Sequence, residues 1–476
     1  MKKLFIYFLF IAITLLEACS VVPPQSQTWT DELKSTEAPK YTKSTRSGVV
    51  KDVESIDLWA RIREGFDIPD PVTNALIEKH TKQLQANPIY VNRLLERSSS
   101  YLFYIIEEVE SRDMPSELAL LPFVESAFNP KAVSPVKASG MWQFMPATGK
   151  SYKLKQNVFI DEREDIIKST RAALDYLQNL YDMFGDWQLA LASYNWGEGN
   201  IGRSIKRNEA SHLSTDYFSL VMPNETRNYV PKLLAYKRII ENPSKYGFVL
   251  PRVPNTPYFV AIPVTRDIDK ELVIKLADIT EEQFLALNPS FTKPVILSAS
   301  GPQILLPYGK AEIYQYNLAR YSKPLSNYTA VVVGKTESVD KIANSLSLDI
   351  AELKALNNIP NGMKIRAGST LLVRKATNDE QDVPGYILDN GALNLEKEFI
   401  PVSVVMKCRG KKCVAAPTNL ASYNPLQEKN ASKNSKSTPQ IATKVNPKDT
   451  KKTSVAAHKT VVESTPKDKK KTEKKD

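Results

Sequence analysis

Glu125 closes an apolar run, Leu118-Ala119-Leu120-Leu121-Pro122-Phe123-Val124, and is followed by Ser126-Ala127-Phe128-Asn129-Pro130. A carboxyl at the end of such a run is partly desolvated on folding, which favours its neutral form and raises its pKa. A carboxylic acid that keeps its proton near neutral pH is what general acid catalysis needs. The plain alternative is a surface Glu ending a helix.

Three further stretches carry polar and aromatic groups suited to a ligand. Gly140-Met141-Trp142-Gln143-Phe144-Met145-Pro146 sets an amide beside a Gly that allows close approach. Trp142 and Phe144 read best as core, whereas the Gln143 amide needs partners wherever it is buried. Ala192-Ser193-Tyr194-Asn195-Trp196-Gly197 places Tyr, Asn and Trp in a Gly-rich turn, with Gly199 and Gly202 following. Rings of this kind stack on pyranose faces, and the Asn195 amide can bond hydroxyl or acetamido groups. A helix C-cap with buried aromatics is the competing reading. In Arg227-Asn228-Tyr229-Val230-Pro231-Lys232, Tyr229 opens a helix.

Other chemistries find little support. The three His residues, His80, His212 and His458, are scattered, so neither a metal site nor a Ser-His pair has an evident base. Metal and cofactor are therefore both expected to be absent. Cys408 and Cys413 flank Arg409-Gly410-Lys411-Lys412. In an oxidising compartment they make a small disulfide loop. Asp161 and Asp165 stay open as a second carboxylate.

The elements that position these groups follow from periodicity. The chain has 476 residues, room for about three domains. From Pro71 onward apolar residues recur at helical spacing, through Val91, Leu94 and Leu95, then Leu102, Ile105, Ile106 and Val109. Asp113-Met114-Pro115-Ser116 breaks that pattern and caps a segment from Glu117 to Glu125. Helices over 170–184, 187–194 and 229–240 complete an all-helical unit ending near Asn242. After Pro251 the pattern becomes strand, helix, helix, strand, at 259–262, 272–277, 281–287 and 303–306. The same order recurs at 328–333, 339–345, 350–356 and 370–373. In both copies the second helix runs into a similar phrase, Phe284-Leu285-Ala286-Leu287-Asn288 and Leu353-Lys354-Ala355-Leu356-Asn357. This is an internal repeat.

Together the four motifs resemble the catalytic domain of soluble-type lytic transglycosylases, related to goose-type lysozyme, over roughly 101–242. Asp161-Glu162-Arg163, Ser169-Thr170-Arg171-Ala172-Ala173 and Tyr176-Leu177 fit the same resemblance. It implies Glu125 as the catalytic acid/base of peptidoglycan glycan cleavage, supported by Ser126, Gln143, Tyr194, Asn195 and Tyr229. It implies Ser126 as a hydrogen-bond partner of Glu125, and Tyr194 and Tyr229 as holders of Glu125 or of the substrate acetamido group. The implied product is a 1,6-anhydro sugar, formed without a second carboxylate. A lysozyme-type hydrolase is the nearest rival, and a non-catalytic cell-wall scaffold is a third reading from a different class. The segment 328–374 resembles a LysM module, through Gly334-Lys335-Thr336, Ile342-Ala343, Leu353, Leu356-Asn357, Gly368 and Leu371-Leu372-Val373. Lys335 and Glu337 depart from that family's usual Asp and Leu, and the earlier copy is a more diverged relative. The expected fold class is therefore multidomain: an all-α lysozyme-like catalytic domain, then small α+β LysM-type (βααβ) modules, then a disordered tail.

The N-terminus directs export. Lys2 and Lys3 precede an apolar run from Leu4 to Leu16, too short to span a bilayer comfortably and suited to a signal peptide. Leu16-Glu17-Ala18-Cys19 resembles a bacterial lipobox, which implies lipidation at Cys19, and Ser20 after the Cys resembles the sorting signal that, in a Gram-negative cell, implies a place on the periplasmic face of the outer membrane. Glu17 departs from that pattern, and cleavage after Ser20 to give a soluble periplasmic or secreted protein is the alternative. The net charge is +11, and 425–476 holds 14 Lys against 6 Asp or Glu, hence +8 of it. The excess sits in a low-complexity tail, read as solvated. The resulting division is 1–18 signal peptide, 19–50 flexible tether, 51–100 N-terminal helical extension, 101–245 catalytic domain, 255–310 diverged LysM-like module, 326–375 LysM domain and 376–476 linker and basic tail. The expected partners are peptidoglycan glycan strands and a membrane through the lipid anchor. Nucleic acid is not among them, and the oligomeric state is left open.

Overall fold

The computed structural model describes residues 57–375, 381–398, 404–409 and 412–417, the last two stretches through their backbone. The expected signal peptide, tether and Cys19, and the tail from 418 onward, lie outside the described residues.

The elements from Leu58 to Tyr246 are all helices, joined by loops, and one apolar core runs through them. The helix Leu58–Glu64 buries Leu58, Trp59 and Ile62, and the Trp59 indole donates to the Pro251 carbonyl at 2.8 Å. Helices Ala75–Gln85 and Pro88–Ser98 add Ile77, Val91, Leu94 and Leu95 to the same core. The N-terminal extension thus shares one continuous core with the helices beyond residue 101. The expected single helix over 117–125 is instead a 3-10 turn, Ser116–Leu120, and then the α-helix Leu121–Glu125. Pro122 has no N–H to donate back along an unbroken helix, so the α-helix begins afresh there.

The longest helix, Ile166–Phe184, starts four residues earlier than periodicity indicates. Asp165 caps it by accepting from the Lys168 N–H at 2.8 Å. Gly185, at φ +66°, ends it. Asp186 caps the next helix, Trp187–Trp196, through the Leu189 N–H. The pair forms an αα-hairpin whose facing sides bury Ala173, Leu174, Leu177, Leu189, Leu191 and Ala192. Helix Tyr229–Glu241 packs against Ala75–Gln85, Trp187–Trp196 and Leu121–Glu125. Inside this core Glu117 is fully buried and paired with Lys237 at 2.6 Å. Its oxygens also accept from the N–H groups of Asp67 and Ile68.

The two repeats have the same fold. In the first, strands Phe259–Pro263 and Gln303–Pro307 pair antiparallel around helices Lys270–Ala277 and Glu281–Leu287. In the second, strands Tyr328–Val332 and Thr370–Arg374 pair around Val339–Ser345 and Ile350–Asn357. The Asn that ends the repeated phrase explains its recurrence. Buried Asn288 bonds the Leu305 N–H and C=O at 2.7 and 2.8 Å, and buried Asn357 does the same to Leu372 at 2.8 and 2.8 Å. One amide ties helix to strand in each copy, satisfying backbone groups that burial would otherwise leave unpaired.

The segment after Lys375, expected to be a linker, carries a helix, Gly385–Asp389, and a strand, Leu395–Lys397. Its apolar residues Val383, Ile387 and Leu388 bury against Phe159, Val295, Leu297 and Leu372. Phe159 comes from the helical domain, and Ile160 beside it joins the core of the first repeat. The loop carrying them thereby fastens both repeats to the helical domain. Separately, strands Val404–Arg409 and Lys412–Pro417 form a hairpin whose register sets Cys408 opposite Cys413.

Candidate active site

Glu125 is the last residue of the short helix Leu121–Glu125. Immediately after it the chain turns back through two left-handed residues, Ala127 at φ +56° and Phe128 at φ +53°. Such backbone costs roughly 1–3 kcal/mol per residue and persists only where packing enforces it. Here Phe128 is fully buried, its ring 4.5 Å from Phe123 and 6.4 Å from Tyr101. At the helix end Glu125 keeps a partial opening to solvent, while protein surrounds its carboxyl closely.

Burial dominates the chemistry of that carboxyl and pushes it up to about 7. Tyr229, 4 % exposed, donates its hydroxyl to Glu125 Oε1 and opposes the rise. Glu225 adds to the rise by like-charge repulsion, and Lys232 opposes it. Tyr229 is itself held well above its ordinary pKa by burial and by the Glu125 charge, so it remains a donor. Helix Tyr229–Glu241 is anchored at its start by Asn228, whose Oδ1 meets His80 Nε2 at 2.7 Å.

The second motif is a loop held against this helix end. Ser126 Oγ donates to the Met141 carbonyl at 2.8 Å, and Tyr194 Oη donates to the next carbonyl, that of Trp142, at 2.8 Å. The expected bond from Ser126 to Glu125 is thus replaced by one to the loop, because the residue after the helix end points to the backbone packed beneath it. Gly140 is required here: at φ +86° it lies so close to Arg163 that an added Cβ would fall 1.9 Å from that carbonyl oxygen. Gln143, also left-handed at φ +50°, spends its amide N–H groups on the carbonyls of Ala132 and Gly140. Trp142 is fully buried and donates to Thr170, the structural role that its type favours.

Asn195 Oδ1 accepts from Thr226 Oγ1 at 2.9 Å, which orients its amide. Thr226, three residues before Tyr229, carries no signal in the sequence for this role. Also unforeseen is a row of half-buried rings leading away from the site. Tyr194, Tyr176 and Tyr152 succeed one another at 5.3 and 5.1 Å between ring centres. Such faces suit stacking on sugars.

Asp161 forms a two-pronged ion pair with Arg163, at 2.9 and 2.6 Å. Asp165 is the helix cap described above. Both candidate partner carboxylates therefore have structural employment. Among the described residues no group of His, Cys, Asp or Glu could hold a metal ion, and no helix is long and apolar enough to cross a membrane.

Comparison with known proteins gives three family matches along the chain. A transglycosylase SLT domain matches residues 103–216, the LysM-like domain of lytic transglycosylase MltD matches 258–323, and a LysM domain matches 331–374. The membrane-bound lytic murein transglycosylase D of Escherichia coli strain K12 is 35% identical over 355 residues, 71% of this chain and 77% of that protein. The soluble lytic murein transglycosylase of the same strain is 31% identical over 156 residues, 31% of this chain and 22% of that protein.

Proposed function

The chain belongs to the family of membrane-bound lytic murein transglycosylase D, and on that premise we propose that Glu125 alone supplies the acid and base for its cleavage of peptidoglycan. The observation that carries this reading is the desolvated carboxyl at about 7, within reach of one tyrosine donor, while the two candidate partner carboxylates, Asp161 and Asp165, are held in an ion pair and a helix cap. A lytic transglycosylase needs one group that gives a proton and takes one back, and two-carboxylate hydrolysis needs a second.

Glu125 donates its proton to the glycosidic oxygen between N-acetylmuramic acid and N-acetylglucosamine. The C1–O bond breaks, and the substrate's own acetamido oxygen meets the positive charge at C1. Asn195, oriented by Thr226, supports that group. Ionised Glu125, steadied by the Tyr229 hydroxyl, then takes the proton of the C6 hydroxyl. O6 closes onto C1 and displaces the acetamido oxygen, giving a 1,6-anhydro end and restoring the acid. Ser126, Tyr194 and Gln143 act by holding the 140–143 loop beside the acid.

The test is a digest of purified sacculi with product masses. Anhydro-ended muropeptides, one water lighter than reducing-ended ones, are expected. Reducing ends alone would establish the hydrolase instead.

The two LysM-type repeats supply further hold on peptidoglycan. We also assign a signal peptide over 1–18, lipidation at Cys19 and an outer-membrane periplasmic location, supported by the lipobox-like sequence and by the relative's description as membrane-bound. The hairpin register that opposes Cys408 and Cys413 supports the disulfide assigned to them.

A further inference from the structure

The strand pair of the second repeat has two faces, and its own helices cover only one. On that face Val331, Val333, Leu371 and Val373 pack with Val339, Ile342 and Leu353. The other face carries Ala330 opposite Leu372 and Val332 opposite Thr370. Ile387 and Leu388, from the segment after Lys375, cover Ala330 and Leu372. The next pair is left as the floor of a groove of about 350 Å³, within the range of small-ligand clefts. Val332, Gly368 and Thr370 line it on the sheet side, and Tyr386, Ile387 and Asn390 on the other. Residues 386–390 lie beyond the matched LysM segment, 331–374, so that module alone does not form this groove.

Three observations indicate what the groove takes. No charged side chain lines it, so it suits a neutral ligand. Thr370 is 2 % exposed, yet among the described residues no hydrogen bond takes up its hydroxyl. A hydroxyl that deep is ordinarily paired, so this one has a place for an outside partner. Asn390 beside it gives an amide N–H to the Tyr386 carbonyl at 2.9 Å, which leaves Oδ1 to accept. The third is the Tyr386 ring, 68 % exposed at the rim with apolar Val332 and Ile387 near it. A ring of this kind offers its face to an apolar surface. A neutral ligand with one apolar face and hydroxyl or amide groups at its edge meets all three conditions. An N-acetylated pyranose has that form; a peptide stem carries charge, and an acyl chain would leave Thr370 unpaired.

We propose that this groove binds one N-acetylated sugar of a peptidoglycan strand, its apolar face on Tyr386 and its polar edge on Thr370 and Asn390. The inference rests on the peptidoglycan reading above and deepens it. It gives the strand a hold outside the active site, built jointly by the second repeat and the segment that fastens it to Phe159 of the helical domain.

The experiment measures affinity of the full chain for purified insoluble sacculi, in a Glu125→Gln background that keeps the sacculi intact. Tyr386→Ala, a change at an exposed residue, is expected to weaken binding about three- to ten-fold, the reach of one ring contact. Tyr386→Trp is expected to hold it within about two-fold. Thr370→Val keeps the shape, deletes the hydroxyl and is expected to weaken binding about three-fold. The difference between Tyr386→Ala and the unsubstituted residue is expected to vanish in saturating neutral N-acetylglucosamine tetramer and to persist in free stem peptide. Equal affinity with and without Tyr386→Ala would overturn the proposal, as would a difference that the stem peptide removes and the tetramer does not. Sacculi that bind neither protein would overturn the peptidoglycan reading itself.

Discussion

Removing the Tyr229 hydroxyl separates what burial does to Glu125 from what its hydrogen bond does. Tyr229→Phe keeps the buried ring and deletes only the donor to Oε1. A hydrogen bond to a charged group contributes about 1.5–3 kcal/mol. At 1.36 kcal/mol per pKa unit, its loss shifts the carboxyl by about 1–2 units. The donor favours the ionised form, so its loss moves the pKa up, from about 7 toward roughly 8–9. As the proposed general acid, Glu125 must be protonated in the free enzyme, so the alkaline limb of kcat/KM against pH is expected to report this pKa. The limb is therefore expected near pH 7 in the wild type and about 1–2 units higher in Tyr229→Phe. The rate at the plateau is expected to fall about ten-fold, because the ionised acid loses its support in the second proton transfer. The assay is the release of anhydro-muropeptides measured from about pH 5 to 9.5, a range that brackets both limbs. An alkaline limb that stays near 7, or moves to lower pH, would refute the assignment of the hydrogen bond to the ionised form. A limb near 4.5 in the wild type would refute the burial argument itself.

Glu125→Gln is expected to lower turnover by roughly 10²–10⁴-fold, the usual contribution of a general acid/base. Because the folded pKa is raised above its ordinary value, the Glu125 contribution to stability is full below pH 4.5 and is lost as pH rises through about 7. The Gln variant is thus expected to match the wild type by thermal unfolding at about pH 4 and to exceed it by about 1–3 kcal/mol at about pH 9. Lys237→Met strands the fully buried Glu117 carboxylate and is expected to cost about 3–5 kcal/mol in urea unfolding at about pH 7. Gly140→Ala forces a Cβ onto the Arg163 carbonyl at a positive φ. A loss of roughly 2 kcal/mol or more and a large drop in turnover are expected, the former by thermal unfolding and the latter on sacculi.

The candidate acid is legible in the sequence, because an apolar run ending in Glu, with three more motifs in order after it, is a local pattern. The repeats are legible for the same reason: Asn288 and Asn357 recur because each makes the same bonds within one small unit. For Ser126 the sequence points to the right region but to the wrong partner, since adjacency along the chain does not say which way a hydroxyl turns at a helix end. Pro122 shows that a continuous apolar pattern can hide a change from 3-10 turn to α-helix. The residues after Lys375 read as linker because their few apolar side chains, Val383, Ile387 and Leu388, gain meaning only when Phe159, more than two hundred residues earlier, is packed against them.

Sequence by itself therefore determined which residues could do the chemistry, the helical class of the domain around them and the duplication C-terminal to it. Those depend on residue type, short-range spacing and periodicity, all of which are local. Tertiary structure decided how acidic Glu125 is, that Ala127 and Phe128 turn the chain beneath it, that Asp161 and Asp165 are occupied elsewhere, and that the N-terminal helices form one wall of a groove beside it. Desolvation, ion pairing and backbone strain depend on which distant segments meet, and no spacing along the chain specifies that.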